Sequence, residues 1–418
     1  MKTEETVKKI CEAAKKASRA LALVDRKTKD EALVAMGKAL IGNSSRIISE
    51  NRKDLVLARK AGLSKALADR LFLDSGRISS MAESLFTIAK LKDPVGETIS
   101  SVKRPNGLVI KKVRVPIGVI LIIYESRPNV TSDCIGLCLK SSNAVILRGG
   151  SIALNSNIAI FNVMNKEAVK HGLPENAISI VRDTDRKIVD ALLKQNNFID
   201  LVMPRGGESL IREVTEKSRI PVIKHYKGVC HIYVDDSADK RKALEICYNA
   251  KVQRPGVCNA METMLVSRKI ARSFLPLMIE RFRKFGVEIR GDAETCRIVS
   301  GVKRATEADW YTEYLDLVLS VKVVKDVDEA IGHIMKYGSY HSDAIVTKNK
   351  KNAAKFLKEI DSACVYVNAS TRFTDGGQFG MGAEIGVSTD KIHARGPMGV
   401  GELTSYKYTI YGNGQVRK

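Results

Sequence analysis

A cysteine placed just after a Pro-Gly pair is the group in this chain best suited to covalent chemistry. Cys258 lies in the run Lys251-Val-Gln-Arg-Pro-Gly-Val-Cys-Asn-Ala-Met-Glu-Thr263. The pattern predicts a β-branched strand over 230–235, an amphipathic helix over 239–250 and an apolar continuation over 261–266. A thiol just past such a corner can sit at a loop–helix junction. Backbone N–H groups there favour a thiolate and can bind an oxyanion, which is what a cysteine nucleophile needs. The same residues also suit a buried structural cysteine. Local sequence does not choose between the two.

Two further motifs carry chemistry. Arg148-Gly149-Gly150 and Pro204-Arg205-Gly206-Gly207 each follow an apolar strand-like run. Glycine lets the backbone approach a ligand closely, and arginine offers a planar fork to phosphate. Neither motif is Gly-x-Gly-x-x-Gly or a Walker loop, and paired glycines are also ordinary turn formers. Two at equivalent strand ends favour a dinucleotide. The glycine-dense segment 373–386 and its continuation to 400 read as the lining of a site.

These motifs need a scaffold. The chain has 418 residues, enough for two to three domains, and 44% apolar with 28% charged residues describes a soluble globular protein. No apolar run is long enough to span a membrane. The N-terminus mixes charges of both signs and lacks an apolar signal core, so a cytoplasmic location is expected. Cysteines 11, 134, 138, 230, 247, 258, 296 and 364 form no Cys-x-x-Cys pair, and no histidine cluster supplies metal-ligand spacing. Neither disulfides nor a metal site is expected. The net charge of +22 fits a solvated lysine-rich surface, anionic small-molecule ligands or nucleic acid. No nucleic-acid motif is present and aromatics are only 6%, which favours small anions.

Helical periodicity covers residues 1–95, read as an outer layer over a sheet. A hairpin signal at Asn106-Gly107 splits 99–115 into two strands, either a sheet edge or an arm reaching another subunit. From 116 strands and helices alternate, with strands at 118–124, 143–147, 178–181, 198–203 and 222–224. Such alternation implies right-handed βαβ units, a parallel sheet and a ligand beyond the strand C-termini. A second α/β unit follows Cys258, with strands at 287–289, 317–324, 344–347 and 363–368. The alternating tail 403–411 is a plausible partner for the 99–115 ribbon.

Five blocks in order then resemble one family: Val115-Pro-Ile-Gly-Val, Tyr124-Glu-Ser-Arg-Pro-Asn-Val-Thr131, Lys140 to Gly150, Gln253 to Thr263, and Thr374 to Gly386 with His393 to Gly399. They are similar to the gamma-glutamyl phosphate reductases (glutamate-5-semialdehyde dehydrogenases), the proline-biosynthesis branch of the aldehyde dehydrogenase superfamily. The resemblance implies an α/β fold with a Rossmann-type NADP-binding domain (1–98 and 114–235). It also implies an α/β catalytic domain (236–402, its end able to pack back on the first) and a β-strand oligomerisation arm (99–113 and 403–418). It carries Cys258 over as nucleophile and Asn129 as oxyanion donor. It places Arg148, with Gly149 and Gly150, near the adenosine ribose, and Pro204, Arg205, Gly206 and Gly207 by the pyrophosphate. Glu313 would hold the nicotinamide ribose. The implied partners are L-glutamyl 5-phosphate, inorganic phosphate, further copies of the chain and the glutamate 5-kinase, with no nucleic acid and no membrane.

The departures bear on mechanism. Hydrolytic aldehyde dehydrogenases have a water-activating glutamate before the cysteine, whereas His225-Tyr-Lys-Gly-Val-Cys-His231 has no carboxylate until Asp235. Ile152 stands where an acidic residue is expected, and Gly401-Glu402 departs from the glutamate expected directly after Val400. The histidines read as structural, and Glu262 as a packing carboxylate. An NADPH-dependent acyl-phosphate reductase leads. A hydrolytic NAD(P)-dependent aldehyde dehydrogenase is the enzymatic alternative, and a basic nucleic-acid-binding protein the non-enzymatic one.

Overall fold

The computed structural model describes residues 2–63, 65–125 and 127–417. The chain divides into two compact units. Met1–Lys224, Gly380–Gly386 and Met398–Lys418 form the first, and His225–Phe379 with Val387–Pro397 the second.

Unit 1 is built on a four-stranded parallel sheet in the order Ile178–Ile180, Ala144–Gly149, Val119–Tyr124, Leu201–Arg205. All six residues of Val119–Tyr124 are buried, as a strand covered on both faces requires. Val119, Leu121, Ile123, Ala144 and Ile146 meet Val7, Cys11 and Ala14 of the helix Lys2–Leu21. The helices Pro128–Lys140 and Leu154–Lys170 return from the strand ends. Arg26–Gly42 and Ser75–Lys90 pack on these helices and on each other. The N-terminal helices are thus not one layer over a sheet: the first touches strands, while these two form a further shell. Segment 222–224 contributes only a bridge between Val202 and Val222 rather than a fifth strand. The strand expected over 198–203 runs instead through Pro204 and Arg205, because an edge strand tolerates proline's missing N–H.

The strand Val109–Pro116 pairs antiparallel with Thr98–Lys103 on one side and Thr404–Tyr411 on the other. The tail therefore joins the ribbon, eight residues in register from Thr404↔Pro116 to Tyr411↔Val109. Tyr406, Tyr408 and Ile410 alternate onto one face and remain exposed.

Unit 2 holds a seven-stranded sheet in the order Lys303–Arg304, Glu288–Gly291, Val318–Val324, Met261–Ser267, Cys230–Val234, Ser342–Val346, Cys364–Val367, parallel throughout. The side chains alternate as strand geometry demands. Ile232, Val234, Met264 and Val266 pack on the helices Lys240–Val252 and Arg268–Lys284. Tyr233, Leu265 and Ile345 pack on Val327–Tyr337 and Lys350–Glu359. The expected domain boundary at 235 shifts accordingly. Cys230–Val234 pairs with Met261–Ser267 and Ser342–Val346, so sheet hydrogen bonding assigns it to the second unit. Segments 380–386 and 398–402, at the end of the expected catalytic domain, group with unit 1. No helix among the described residues is long and apolar enough to cross a membrane.

Candidate active site

Cys258 sits on the turn that joins a helix to a central strand of unit 2. The helix Lys240–Val252 starts at Asp239, whose carboxylate accepts the Lys242 amide, and ends at Gln253. The chain turns through Pro255 and Gly256, Ala260 N–H closes on the Val257 carbonyl at 3.1 Å, and the strand Met261–Ser267 begins. The expected loop–helix junction is therefore absent. Cys258 follows a helix C-terminus and precedes a strand, so the elements joined by its own turn offer it no helix N-terminus.

The base of the turn is stapled. Lys251, in the last turn of the helix, meets Glu262, the second residue of the strand, at 2.6 Å, and both side chains are fully buried. The other Glu262 oxygen accepts from Leu315 N–H at 3.1 Å. Register slips at this point, Cys230 pairing with Met261 but His231 with Thr263, which leaves Glu262 as the extra residue of a bulge. Burial pushes the Glu262 carboxyl upward and the Lys251 ammonium downward, while their mutual attraction opposes both shifts.

The segment 225–231 packs on this turn at van der Waals limits. A Cβ on Gly228 would lie 1.8 Å from the Cys258 carbonyl oxygen, so only glycine fits there. Gly228 N–H donates to Glu313 Oε1 at 2.9 Å, and Cys230 Sγ to the Cys258 carbonyl at 3.2 Å. Burial raises the Cys230 thiol well above its ordinary range, which keeps it a thiol. One ring nitrogen each of His225 and His341 and the Cys258 sulfur all lie within 4.8 Å of one another. Nδ1 of His225 is 2.8 Å from the Val387 carbonyl, a contact in which Nδ1 carries a proton and donates. His341 Nδ1 is 2.9 Å from Ser342 Oγ and 3.7 Å from Cys230 Sγ.

Positive charge lies alongside. Arg372 Nε donates to Gln253 Oε1 at 2.9 Å, and its Nη1 donates to Asn259 Oδ1, so the guanidinium bridges the two ends of the nucleophile turn. Asn259 Nδ2 is anchored on the Thr374 carbonyl at 2.8 Å. Burial, then the like charge of Arg254, holds the Arg372 guanidinium below its usual value, and Cys258 opposes that shift.

In unit 1 the expected residues gather at the C-terminal ends of the strands. Asn129 is exposed in the first turn of Pro128–Lys140 and donates to Asp133 Oδ2 at 3.2 Å. Burial pushes the Asp133 carboxyl up to about 6. Arg148 closes on the Thr184 carbonyl at 3.0 Å, its buried Nε has no partner among the described residues, and burial followed by Arg186 lowers its pKa. A half-buried guanidinium with an orphaned donor beside a second arginine fits an anionic group such as a dinucleotide phosphate.

The glycines divide by role. A Cβ on Gly149 would meet Asn157 Nδ2 at 2.2 Å, which makes it a packing glycine, whereas Gly150 has ordinary room. Gly206 packs on Glu125 and Leu210. Gly207, N-cap of the helix Glu208–Lys217, donates to Glu125 Oε2 at 3.3 Å, so a carboxylate stands where the pyrophosphate is expected. Arg205 covers Gly386, where a Cβ would be 1.8 Å from its Nη1. Ile152 packs with Ala58, Leu71 and Ala153 in a small apolar cluster. Glu402 accepts the Gly399 amide at 3.0 Å.

Sequence reasoning missed His225 and His341, which it read as structural, and the metal-type cluster they form with Cys258. The one local signal was their residue type, since tertiary contacts such as that of His225 with the Val387 carbonyl bring these distant positions together.

Residues 1–316 match the model of the aldehyde dehydrogenase family. The gamma-glutamyl phosphate reductase of Caldanaerobacter subterraneus subsp. tengcongensis is 57% identical over 405 residues, covering 97% of this chain and 98% of the relative. That of Nautilia profundicola is 54% identical over 412 residues, covering 99% and 100%. A crystal structure of the gamma-glutamyl phosphate reductase from Thermotoga maritima superposes with a TM-score of 0.96 at 49% identity, over 99% of this chain and 100% of that one. The chain belongs to the aldehyde dehydrogenase family and, within it, to the gamma-glutamyl phosphate reductases.

Proposed function

We propose that Cys258 is the covalent nucleophile in the reduction of L-glutamyl 5-phosphate to L-glutamate 5-semialdehyde and phosphate, the second step of proline biosynthesis from glutamate. The observation that carries this reading is a thiol on a stapled turn with two imidazoles within 4.8 Å, in a chain more than half identical, end to end, to reductases of that name.

His225 Nε2, or the imidazole of His341, accepts the thiol proton. The thiolate attacks the γ-carbonyl carbon, the carbon–oxygen bond to phosphate breaks, and phosphate leaves with its electron pair. Arg372 and Arg254 provide positive charge for the departing or resident anion. Asn129 is assigned the oxyanion donor's part. NADP(H), when bound, supplies or accepts the hydride. Arg148, with Gly149 and Gly150, is assigned to the adenosine ribose end of the dinucleotide, and Pro204, Arg205, Gly206 and Gly207 to its pyrophosphate. Gly207 can serve only once Glu125 has moved off its amide. Glu313 remains assigned to the nicotinamide ribose, and its bond to Gly228 ties it to the nucleophile turn. The ribbon and tail would join copies of the chain, in the cytoplasm, with the glutamate 5-kinase as a further partner.

Histidine can activate water as well as a thiol, so phosphate dependence is what separates the two classes. Steady-state NADP reduction by glutamate semialdehyde, with chelator present, is the test. It should depend on phosphate or arsenate. Undiminished oxidation in phosphate-free buffer, with free glutamate as product, would place the chain in the hydrolytic class. Cys258→Ala should abolish turnover while NADPH fluorescence quenching persists.

A further inference from the structure

The nucleophile's surroundings have the composition of a transition-metal site. We propose that Cys258, His225 and His341 bind a borderline-soft divalent cation, zinc above all, and that binding captures the thiolate and switches the enzyme off. The inhibitory consequence rests on the reading of Cys258 as nucleophile, whereas the binding does not.

One thiolate and two imidazoles form a donor set that selects zinc, cobalt or cadmium over magnesium or calcium, which take oxygen ligands. Around zinc, sulfur lies at about 2.3 Å and nitrogen at about 2.0–2.1 Å, so tetrahedral ligand atoms are roughly 3.3–3.8 Å apart. The three atoms lie within 4.8 Å of one another, so no pair has to close by more than about 1.5 Å. Two of the three elements can supply that movement. Cys258 is on a turn and His225 in a stretch without regular structure, and both are only partly buried. His341 is fully buried next to the strand Ser342–Val346 and provides the fixed corner.

The outer shell suits ligation. His225 Nδ1 donates to the Val387 carbonyl, and His341 Nδ1 lies against Ser342 Oγ, which is 2.6 Å from Thr374 Oγ1. Metal-bound histidines are oriented by such partners on the second ring nitrogen. Glu313 is bonded to the Gly228 amide, and the cluster of ligating atoms contains no carboxylate. Binding exchanges the thiol proton for the cation and releases it to solvent. Three protein ligands leave a fourth position, which water or inorganic phosphate can fill.

The experiment uses full-length protein stripped of metal by chelator and titrated with cobalt(II). One equivalent should produce a thiolate-to-cobalt charge-transfer band that zinc abolishes and magnesium leaves unchanged. Zinc should also protect Cys258 from iodoacetamide, read by peptide mass spectrometry, and excess EDTA should restore alkylation and turnover. Cys258→Ser should lose the charge-transfer band. His225→Asn and His341→Asn should each weaken binding at least about tenfold. Circular dichroism and NADPH quenching report the fold, and half-buried His225 gives the reading should the buried His341 variant not fold. No band at one equivalent, a band that survives in Cys258→Ser, or unchanged affinity in His225→Asn would overturn the proposal. Phosphate-dependent turnover of the stripped enzyme is read separately. Turnover without cobalt binding overturns the metal site alone, whereas cobalt binding with full activity in Cys258→Ala overturns the nucleophile assignment.

Discussion

Gly228→Ala puts one methyl group into the tightest backbone contact at the nucleophile. The new Cβ would lie 1.8 Å from the Cys258 carbonyl oxygen, 2.6 Å from its carbonyl carbon and 2.7 Å from its Cα. Ordinary contact begins near 3.4 Å, so the two segments must part by about 1.6 Å. All three atoms are backbone and cannot rotate aside. Gly228 is tethered through its amide to Glu313, and the Cys258 carbonyl to Cys230 Sγ, so the strain falls on the turn that carries the thiol. Overpacking of this kind costs about 1–3 kcal/mol of stability. A misplacement of about 1 Å costs on the order of 10²-fold in rate, so kcat should fall by at least that factor. Reductase kinetics, thermal unfolding and the iodoacetamide alkylation rate of Cys258 should be measured together. A folded variant with kcat within about threefold of the parent would refute the argument that this contact positions the thiol.

Lys251→Met should cost about 3–5 kcal/mol, because it leaves Glu262 buried without its partner, and Lys251→Met with Glu262→Gln should recover much of the loss in a denaturant titration. Asp133 ordinarily titrates near 3.8 but at about 6 here. The folded state holds that proton more tightly, so this group's contribution to stability is present below about pH 4 and is lost as pH rises to about 6. Asp133→Asn should flatten the unfolding midpoint across that window, and an unchanged slope would dismiss the burial argument. Removing residues 404–418 strips the ribbon of a strand and of exposed Tyr406, Tyr408 and Ile410, and light scattering should show a lower mass than for the full chain. A monomeric parent at micromolar concentration would refute the arm.

Much of the architecture was legible because backbone state is a local property. The apolar run 118–124 could only be a doubly covered strand, and Asn106-Gly107 marked a hairpin whose second strand takes the tail as partner. Local patterns fail at boundaries set by pairing. Proline at 204 suggested a strand end, yet the edge position tolerates it, and 222–224 looked like a strand but found only one bridge. The Pro-Gly corner located Cys258 but misjudged the element after it, because the apolar run 261–266 satisfies helix and strand equally until its neighbours form a sheet.

Contiguous residues were enough to specify the family, the alternation of strands and helices, and the one thiol flanked by a Pro-Gly turn. The distant groups that surround that thiol emerge only when the chain is folded. His225 and His341 come to within 4.8 Å of Cys258, Gly228 fits against its carbonyl, and Arg372 spans the turn from Gln253 to Asn259. Glu125 on the Gly207 amide and the orphaned Nε of Arg148 were equally out of reach. The physical reason is sheet register. A one-residue bulge at Glu262 sets the pairing of Cys230–Val234 with Met261–Ser267 beside the nucleophile turn, and no local pattern encodes a slip between strands that far apart in sequence.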